Sequence, residues 1–231
     1  RVLRGRRVSG VELARLVGKW SWAFLVRRPA FSVFNAVYRF IEVAASRVFD
    51  IWRSVELELR YAMALAPLLF VSLSAPWFSR VVATDASSAG QGVVAARADA
   101  GLLAQRAAVS GPDGESSVLL DDCDWRTIVS SPWARDEHIN VLEARALLTA
   151  LRWVSSFPNS IGCRCLVFSD SAVVVYAARK GRSSAYALLR MLRGIAAVSL
   201  ACGLRLTCGW IPTKSNPADG PSRDCFHGRD F

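Results

Sequence analysis

Four acidic residues of this chain could do metal chemistry, and two of them stand where strands are expected to end. Asp85 closes the apolar run in "VVATD", and Asp170 closes the run in "LVFSD". If these two strands are parallel neighbours, both carboxylates emerge at the edge of the sheet where ligand sites gather. Either aspartate alone is as well explained by capping a following helix. Two matched strand ends favour a shared site.

The third acid, Glu143, lies on the apolar side of a helix predicted over 140–155. On a helical wheel it shares a face with Leu147, whereas Arg145 lies on the opposite side. Burial of an unpaired carboxylate is costly, and a metal ion would supply the partner. The alternative is a capping box, in which Asn140 is the N-cap and Glu143 follows three residues later.

The fourth acid, Asp219, lies in the turn-rich segment "WIPTKSNPADGPSR", residues 210–223. Alone it is an ordinary turn residue. Clustered carboxylates, however, repel one another and become protonated unless cations lie between them. Oxygen ligands with only two histidines in the chain favour Mg²⁺ or Mn²⁺ over zinc. Two such ions about 3.5–4 Å apart would hold a phosphodiester and activate a water.

The elements that must position these acids change character near residue 80. Short apolar runs separated by small residues predict a three-strand meander, and a turn-rich acidic connection follows it. Downstream patterns predict helix, strand, helix, helix and strand, with His138 ordering the turn before the first helix. The predicted ranges are strands at 80–86, 91–97 and 101–109, the connection at 110–137, helices at 140–155, 172–180 and 184–201, and strands in "CRCLVFSD" and "LRLTCGW". This order predicts an α/β fold with a mixed sheet flanked by helices.

Residues 1–60 read as amphipathic helices and are strongly basic. They carry twelve basic and five acidic residues, which is most of the net charge of +10. Such a surplus indicates a polyanionic partner, usually nucleic acid, although a solvated surface is the simpler alternative. Residues 61–79 form an uncharged stretch long enough to span a bilayer, but Pro67 and Pro76 interrupt it, so a buried connector is expected. No cysteine pair has zinc-finger spacing, and the apolar surroundings of the cysteines indicate a reducing compartment.

The four motifs together resemble the ribonuclease H domain of retrotransposon reverse transcriptases, of the long-terminal-repeat or tyrosine-recombinase type. They occur in the order "VVATDAS", "HINVLEARALLTAL", "LVFSDS" and "NPADGPSR". The resemblance implies a ribonuclease H-like five-stranded mixed sheet over 80–223, followed by a tail at 224–231. It makes Asp85, Glu143, Asp170 and Asp219 the ligands of two Mg²⁺ or Mn²⁺ ions.

The upstream segment 1–79 is similar to the thumb and connection helices that follow a polymerase palm. The resemblance therefore implies that the palm and fingers belong to a missing part of a parent polyprotein. It implies an intracellular setting, cytoplasmic or nuclear, and no membrane. Many ribonucleases H carry a histidine in the loop before the last acid, but residues 210–219 contain none. Product release or protonation of the leaving group is expected to be slower, or water serves instead.

The sequence therefore predicts an endonuclease that cuts the RNA strand of RNA–DNA hybrids. The candidate contacts to the duplex are Arg179, Lys180, Arg182, Lys214 and Asn216. The alternative is a decayed retroelement fragment that retains the fold and binds nucleic acid without cutting it.

Overall fold

Seven strands and eight α-helices are present in the part of the chain that the structure describes. The structure is a computed structural model, and it describes residues 5, 7–109 and 123–225. The strands are β1 (Arg7–Ser9), β2 (Val48–Asp50), β3 (Trp77–Ala86), β4 (Gly90–Arg97), β5 (Arg126–Pro132), β6 (Arg164–Ser169) and β7 (Arg205–Trp210). The helices are α1 (Gly10–Phe24), α2 (Ala36–Ala44), α3 (Arg53–Leu65), α4 (Ala100–Val109), α5 (Ile139–Ser155), α6 (Ala172–Lys180), α7 (Tyr186–Ala201) and α8 (Asp219–Arg223). Short 3₁₀ turns occupy Arg28–Val33, Ala66–Leu68, Pro158–Ser160 and Thr213–Ser215.

Five of the strands form one mixed sheet in the order β5-β4-β3-β6-β7. The meander β3-β4-β5 is antiparallel, whereas β6 and β7 run parallel to β3. The parallel connections between β3, β6 and β7 are made through helices, as crossovers of this kind require. This topology confirms the expected fold class, a ribonuclease H-like mixed five-stranded sheet flanked by helices.

The third strand of the meander does not lie where the sequence pattern placed it. Residues 101–109 belong to the helix α4, and β5 arises from 126–132, inside the segment predicted to be an irregular connection. Asp99 Oδ1 accepts a hydrogen bond of 2.9 Å from the Leu102 backbone N–H, which marks the start of the helix. The alanine-rich composition of α4 then favours a helix over a strand, while Thr127, Ile128 and Val129 favour β5 as a strand.

The 61–79 stretch is divided between three elements. It contains the last turns of α3, a 3₁₀ turn, and the first residues of β3 from Trp77 onward. Among the described residues, no helix has both the length and the apolar character needed to cross a membrane.

The N-terminal helices pack into a core of their own, and one residue of the sheet domain joins it. Phe24, Phe40 and Leu59 are buried in this core together with Leu200 of α7. Because α7 also contributes Leu192 to the core beneath the sheet, this helix connects the two apolar cores.

A buried carboxylate strengthens the same junction. Glu58 of α3 accepts hydrogen bonds of 2.9–3.0 Å from the backbone N–H groups at residues 35–37, the start of α2, where the helix dipole favours a negative charge. Arg193 of α7 donates to Glu58 Oε1 at 3.1 Å and to the carbonyl oxygens of Ser32 and Val33. The Glu58–Arg193 pair therefore ties α2, α3 and the 3₁₀ turn to α7.

We expect Glu58→Ala to lower the free energy of unfolding by about 3–5 kcal/mol, because it leaves Arg193 and three helix-start N–H groups without their acceptor. Urea unfolding measures this change. Glu42→Ala, which removes an exposed acid from α2, is the matched control and should change stability by less than about 0.5 kcal/mol. Equal effects of the two substitutions would contradict the proposed role of Glu58.

Candidate metal centre

Parallel pairing of β3 and β6 brings two of the candidate acids together. Thr84 pairs with Ser169 in register, so Asp85 and Asp170 follow at the same edge of the sheet. Asp85 is 4% exposed, and the backbone carbonyl of Asp170 accepts a hydrogen bond of 2.9 Å from the Trp210 indole N–H. The backbone register therefore brings these two strand ends together, as the sequence predicts.

Glu143 reaches the same place from α5, which packs across the sheet. It is 7% exposed and accepts a hydrogen bond from the Ala86 backbone N–H. The capping-box alternative is wrong, because the N-cap is His138 and its Nδ1 accepts from the Asn140 backbone N–H at 3.2 Å. The helix starts at Ile139, two residues earlier than a cap at Asn140 requires, and Glu143 faces the sheet.

Three carboxylates meet at this edge of the sheet. One ligand oxygen from each of Asp85, Glu143 and Asp170 lies within 4.8 Å of the others. Glu143 Oε2 and Asp170 Oδ1 are buried and have no hydrogen-bond partner within residues 7–109 and 123–225. Among the described residues, none of the three forms an ion pair with a basic side chain. Buried, unpartnered oxygens of this chemistry fit a hard divalent cation such as Mg²⁺ or Mn²⁺.

The surroundings of the cluster favour the protonated form of two of its carboxyl groups. Burial, followed by the charges of Asp85 and Asp170, raises the pKa of Glu143 to about 9. Burial also raises the pKa of Asp85 to about 6, with further contributions from Asp170 and Asp219, although a hydrogen bond from Ser222 acts in the opposite direction. A bound cation would reverse both shifts, because it stabilises the ionised carboxylates.

Two residues that the sequence analysis did not assign to the metal site hold Asp85 in place. The Ser222 hydroxyl donates to Asp85 Oδ2, and the Asn216 side-chain amide donates to the Thr84 carbonyl at 3.1 Å and to Asp85 Oδ1 at 3.5 Å. The position of Asn216 differs from its predicted role as a nucleic-acid contact, since it is 6% exposed and its oxygen accepts from the Ala218 N–H. The polar residues that flank Asp219 in "SNPADGPSR" are the only sequence feature that could have indicated these contacts to Asp85.

Close packing of α8 against β4 brings Ser222 to the site. Gly92 pairs with Asp85 across the strands, and a Cβ added to Gly92 would lie 2.3 Å from the Ala218 carbonyl oxygen. Only glycine permits this approach.

Asp219 begins α8 near the cluster but is not one of the three gathered carboxylates. Its charge contributes to the raised pKa of Asp85, and its Oδ1 accepts a hydrogen bond of 2.7 Å from Arg223. Its role as a fourth ligand stays a prediction. The segment 210–219 contributes Trp210 rather than a histidine to the surroundings of Asp170.

The candidate nucleic-acid contacts fall into two groups. Lys180, Arg182 and Lys214 are exposed, as a contact to a duplex requires. Arg179 instead donates from Nε and Nη2 to the Cys208 carbonyl oxygen, at 2.9 and 2.6 Å, so part of its guanidinium is bonded to β7.

Comparison with known proteins yields structural likeness alone. No protein-family model matches the sequence, and a search of curated proteins gives no significant match. Among solved structures, the chain is similar to LC11-RNase H1 in complex with an RNA/DNA hybrid, at 16% identity and a TM-score of 0.41, covering 60% of this chain and 88% of that one. A second structure of LC11-RNase H1, isolated from compost by a metagenomic approach, gives 19% identity and a TM-score of 0.42, covering 62% and 91%. At these values the likeness carries no functional argument. The functional argument rests on the geometry of the site.

We expect the metal-free protein to lose stability as the pH rises. Between the ordinary pKa of 4.5 and about 9, the folded state keeps Glu143 protonated while the unfolded chain ionises it. Asp85 adds to this between 3.8 and about 6. The unfolded state then binds fewer protons, so the free energy of unfolding falls, by up to about 1.4 kcal/mol per pH unit for each of these groups. Urea unfolding with a chelator across this range measures the slope.

Glu143→Gln removes the titrating group and should flatten the slope above about pH 6, whereas the exposed Glu42→Gln should leave it unchanged. Added Mg²⁺ should raise the stability of the original protein most at alkaline pH, because it binds the ionised cluster. A slope that is the same in Glu143→Gln as in the original protein would show that Glu143 is not buried as described.

Proposed function

We propose that this chain is a divalent-metal-dependent endonuclease that hydrolyses the RNA strand of RNA–DNA hybrids, as part of a retroelement reverse transcriptase. The observation that carries the proposal is the meeting of Asp85, Glu143 and Asp170 at one edge of a ribonuclease H-like sheet, with two buried carboxylate oxygens left without partners. Such a cluster is costly unless a cation occupies it.

In this proposal the position of each acidic residue determines which metal ion it would bind. Asp85 and Asp170 lie at paired strand ends and would share both ions, Glu143 would hold one ion from α5, and Asp219 would complete the site of the other. When bound, two Mg²⁺ or Mn²⁺ ions supply an activated water and stabilisation of the leaving oxygen. Ser222 and Asn216 hold the Asp85 carboxylate in place, so that fewer degrees of freedom are lost when a ligand binds.

The substrate class follows from the resemblance and from the surface charge. In a hybrid, the 2′-hydroxyl groups distinguish the strand to be cut. Exposed Lys180, Arg182 and Lys214 are placed to contact phosphates through charge rather than base identity. We take 1–79 as a thumb- and connection-like segment, 80–223 as the nuclease domain and 224–231 as a tail, with the polymerase palm and fingers as missing partners in an intracellular element.

Incubation with a hybrid labelled on its RNA strand in Mg²⁺ tests the proposal. We expect cleavage of the RNA strand alone, and we expect Asp170→Asn to lower the rate by at least about a hundredfold, since it removes charge from the site where the ions are held. A chelator should abolish cleavage.

The matched control is Asp136→Asn, which changes an exposed acid just before α5 and should leave the rate unchanged. Cleavage that survives Asp170→Asn, or that proceeds in a chelator, would defeat the proposal. Salt-sensitive binding of the hybrid with no cleavage would instead identify the chain as the decayed, binding-only form.

A further inference from the structure

A cavity of about 620 Å³ lies between the N-terminal segment and β7, the last strand of the sheet. Its walls are formed by residues 25–29, Val71, the end of α6 and residues 204–208. Four arginines line it, and none of the lining residues that the structure describes is acidic. These are Arg27, Arg28, Arg179 and Arg205. It uses different residues from the carboxylate cluster and is built jointly by the N-terminal segment and the sheet.

Arg27 places a buried positive charge in the wall of this cavity. It is 5% exposed, and its guanidinium donates to the carbonyl oxygens of Ser199 at 2.8 Å, Leu204 at 2.9 Å and Phe70 at 3.4 Å. These carbonyls satisfy N–H donors but carry no net charge, so the burial of the guanidinium stays electrostatically uncompensated. Among the described residues, neither Arg27, Arg28 nor Arg205 forms an ion pair.

Neighbouring arginines add to this excess of positive charge. Burial and the charge of Arg205 lower the pKa of Arg27, and burial and the charge of Arg164 lower that of Arg205. In both cases the loss of hydration on burial comes first and the repulsion from a neighbouring guanidinium adds to it. An anion in the cavity would relieve this repulsion.

The backbone around Arg28 is fixed against the end of α6. Gly181 follows α6 with φ of 71°, and a Cβ added there would lie 1.9 Å from the Arg28 carbonyl oxygen. This contact fixes the Arg28 backbone at the end of α6, and the exposed Arg28 lines the cavity together with Arg179. Arg205, which also lines the cavity, donates to the Ser72 carbonyl oxygen at 3.0 Å. Guanidinium groups suit phosphate, which they bind through paired N–H donors.

We propose that this cavity binds backbone phosphates of a nucleic-acid strand, with Arg28, Arg179 and Arg205 as contacts and Arg27 as the residue that positions the cavity wall. β7 runs from the cavity to Trp210, whose indole N–H is bonded to Asp170. At about 3.3 Å per residue, Leu204 to Cys208 lie roughly 7–20 Å along the strand from that end. A strand seated in the metal centre would thus extend toward the cavity. The choice of nucleic acid over another polyanion rests on the proposed function, whereas the anion site itself does not.

Binding of a labelled RNA–DNA hybrid in the presence of a chelator tests this inference without any cleavage. We expect Arg28→Ala to weaken binding by roughly tenfold at about 0.1 M salt and to reduce the slope of log K against log salt by about one, as the loss of one phosphate contact predicts. Arg205→Ala should act in the same direction. Arg15→Ala, which removes one exposed charge from α1, is the matched control and should leave the slope unchanged.

Competition experiments with unlabelled anions identify the class of anion that the cavity binds. Unlabelled oligonucleotide should displace the label, and pyrophosphate should do so in the original protein more effectively than in Arg28→Ala. A polyglutamate peptide that competes as well as the oligonucleotide would overturn the choice of nucleic acid, and equal slopes for Arg28→Ala and Arg15→Ala would overturn the site. If the hybrid is never cut in Mg²⁺ but its binding depends on Arg28, the nuclease proposal fails while this one stands.

Discussion

Mutual repulsion among three buried carboxylates is the constraint on which the structure around the metal centre depends. Asp85, Glu143 and Asp170 contribute oxygens within 4.8 Å of one another, and each is fixed by a different element of the fold. Repulsion of this kind would spread the side chains apart if they could move. Here the strand register holds the two aspartates, and the packing of α5 on the sheet holds the glutamate. Burial first and the neighbouring charges second therefore raise the pKa values of Glu143 and Asp85.

The C-terminal segment explains why Asp85 does not turn away from its neighbours. Ser222 and Asn216 both donate to its carboxylate, and their positions depend on the close approach of α8 to Gly92. Hydrogen bonds to the ionised form partly offset the burial and repulsion that favour the protonated form. The short helix α8 therefore stabilises the charged state of Asp85 whatever the role of Asp219 in ion binding.

Local sequence patterns predicted those parts of the fold in which one signal dominates. The apolar runs ending at Asp85 and Asp170, and the long stripe of α5, were found because burial and periodicity agree there. The prediction of a strand at 101–109 is wrong because a short apolar run among small residues fits both a helix and a strand, and the hydrogen bond from Leu102 N–H to Asp99 favours the helix. β5 was missed because it is short and lies in a segment rich in turn residues, where pairing with β4 decides the structure.

The same distinction applies to the metal centre. The types of Asp85, Glu143 and Asp170 and their places at element ends were sufficient to predict a shared site. The contacts of Ser222 and Asn216 were not predictable, because they depend on α8 reaching back across β4, and no local pattern reports such an approach. The cap at His138 is likewise a side-chain contact, in which the imidazole Nδ1 accepts from the Asn140 backbone N–H, and the capping preference of Asn140 itself does not predict it.

The basic residues of the N-terminal segment are held against the sheet domain, because α7 contributes to both apolar cores. A basic N-terminal segment joined by a flexible linker would raise the local charge without fixing any one contact. Here Leu200 packs into the N-terminal core, and Glu58, Arg193 and Arg27 bond across the junction, so the backbone that carries Arg28 is held in place. Arginines whose backbone is fixed before binding lose less conformational freedom when a phosphate arrives, which favours a specific path for a strand over diffuse attraction. Part of the basic surplus of residues 1–60 therefore lies in the wall of the cavity beside β7, where Arg27 and Arg28 join Arg179 and Arg205.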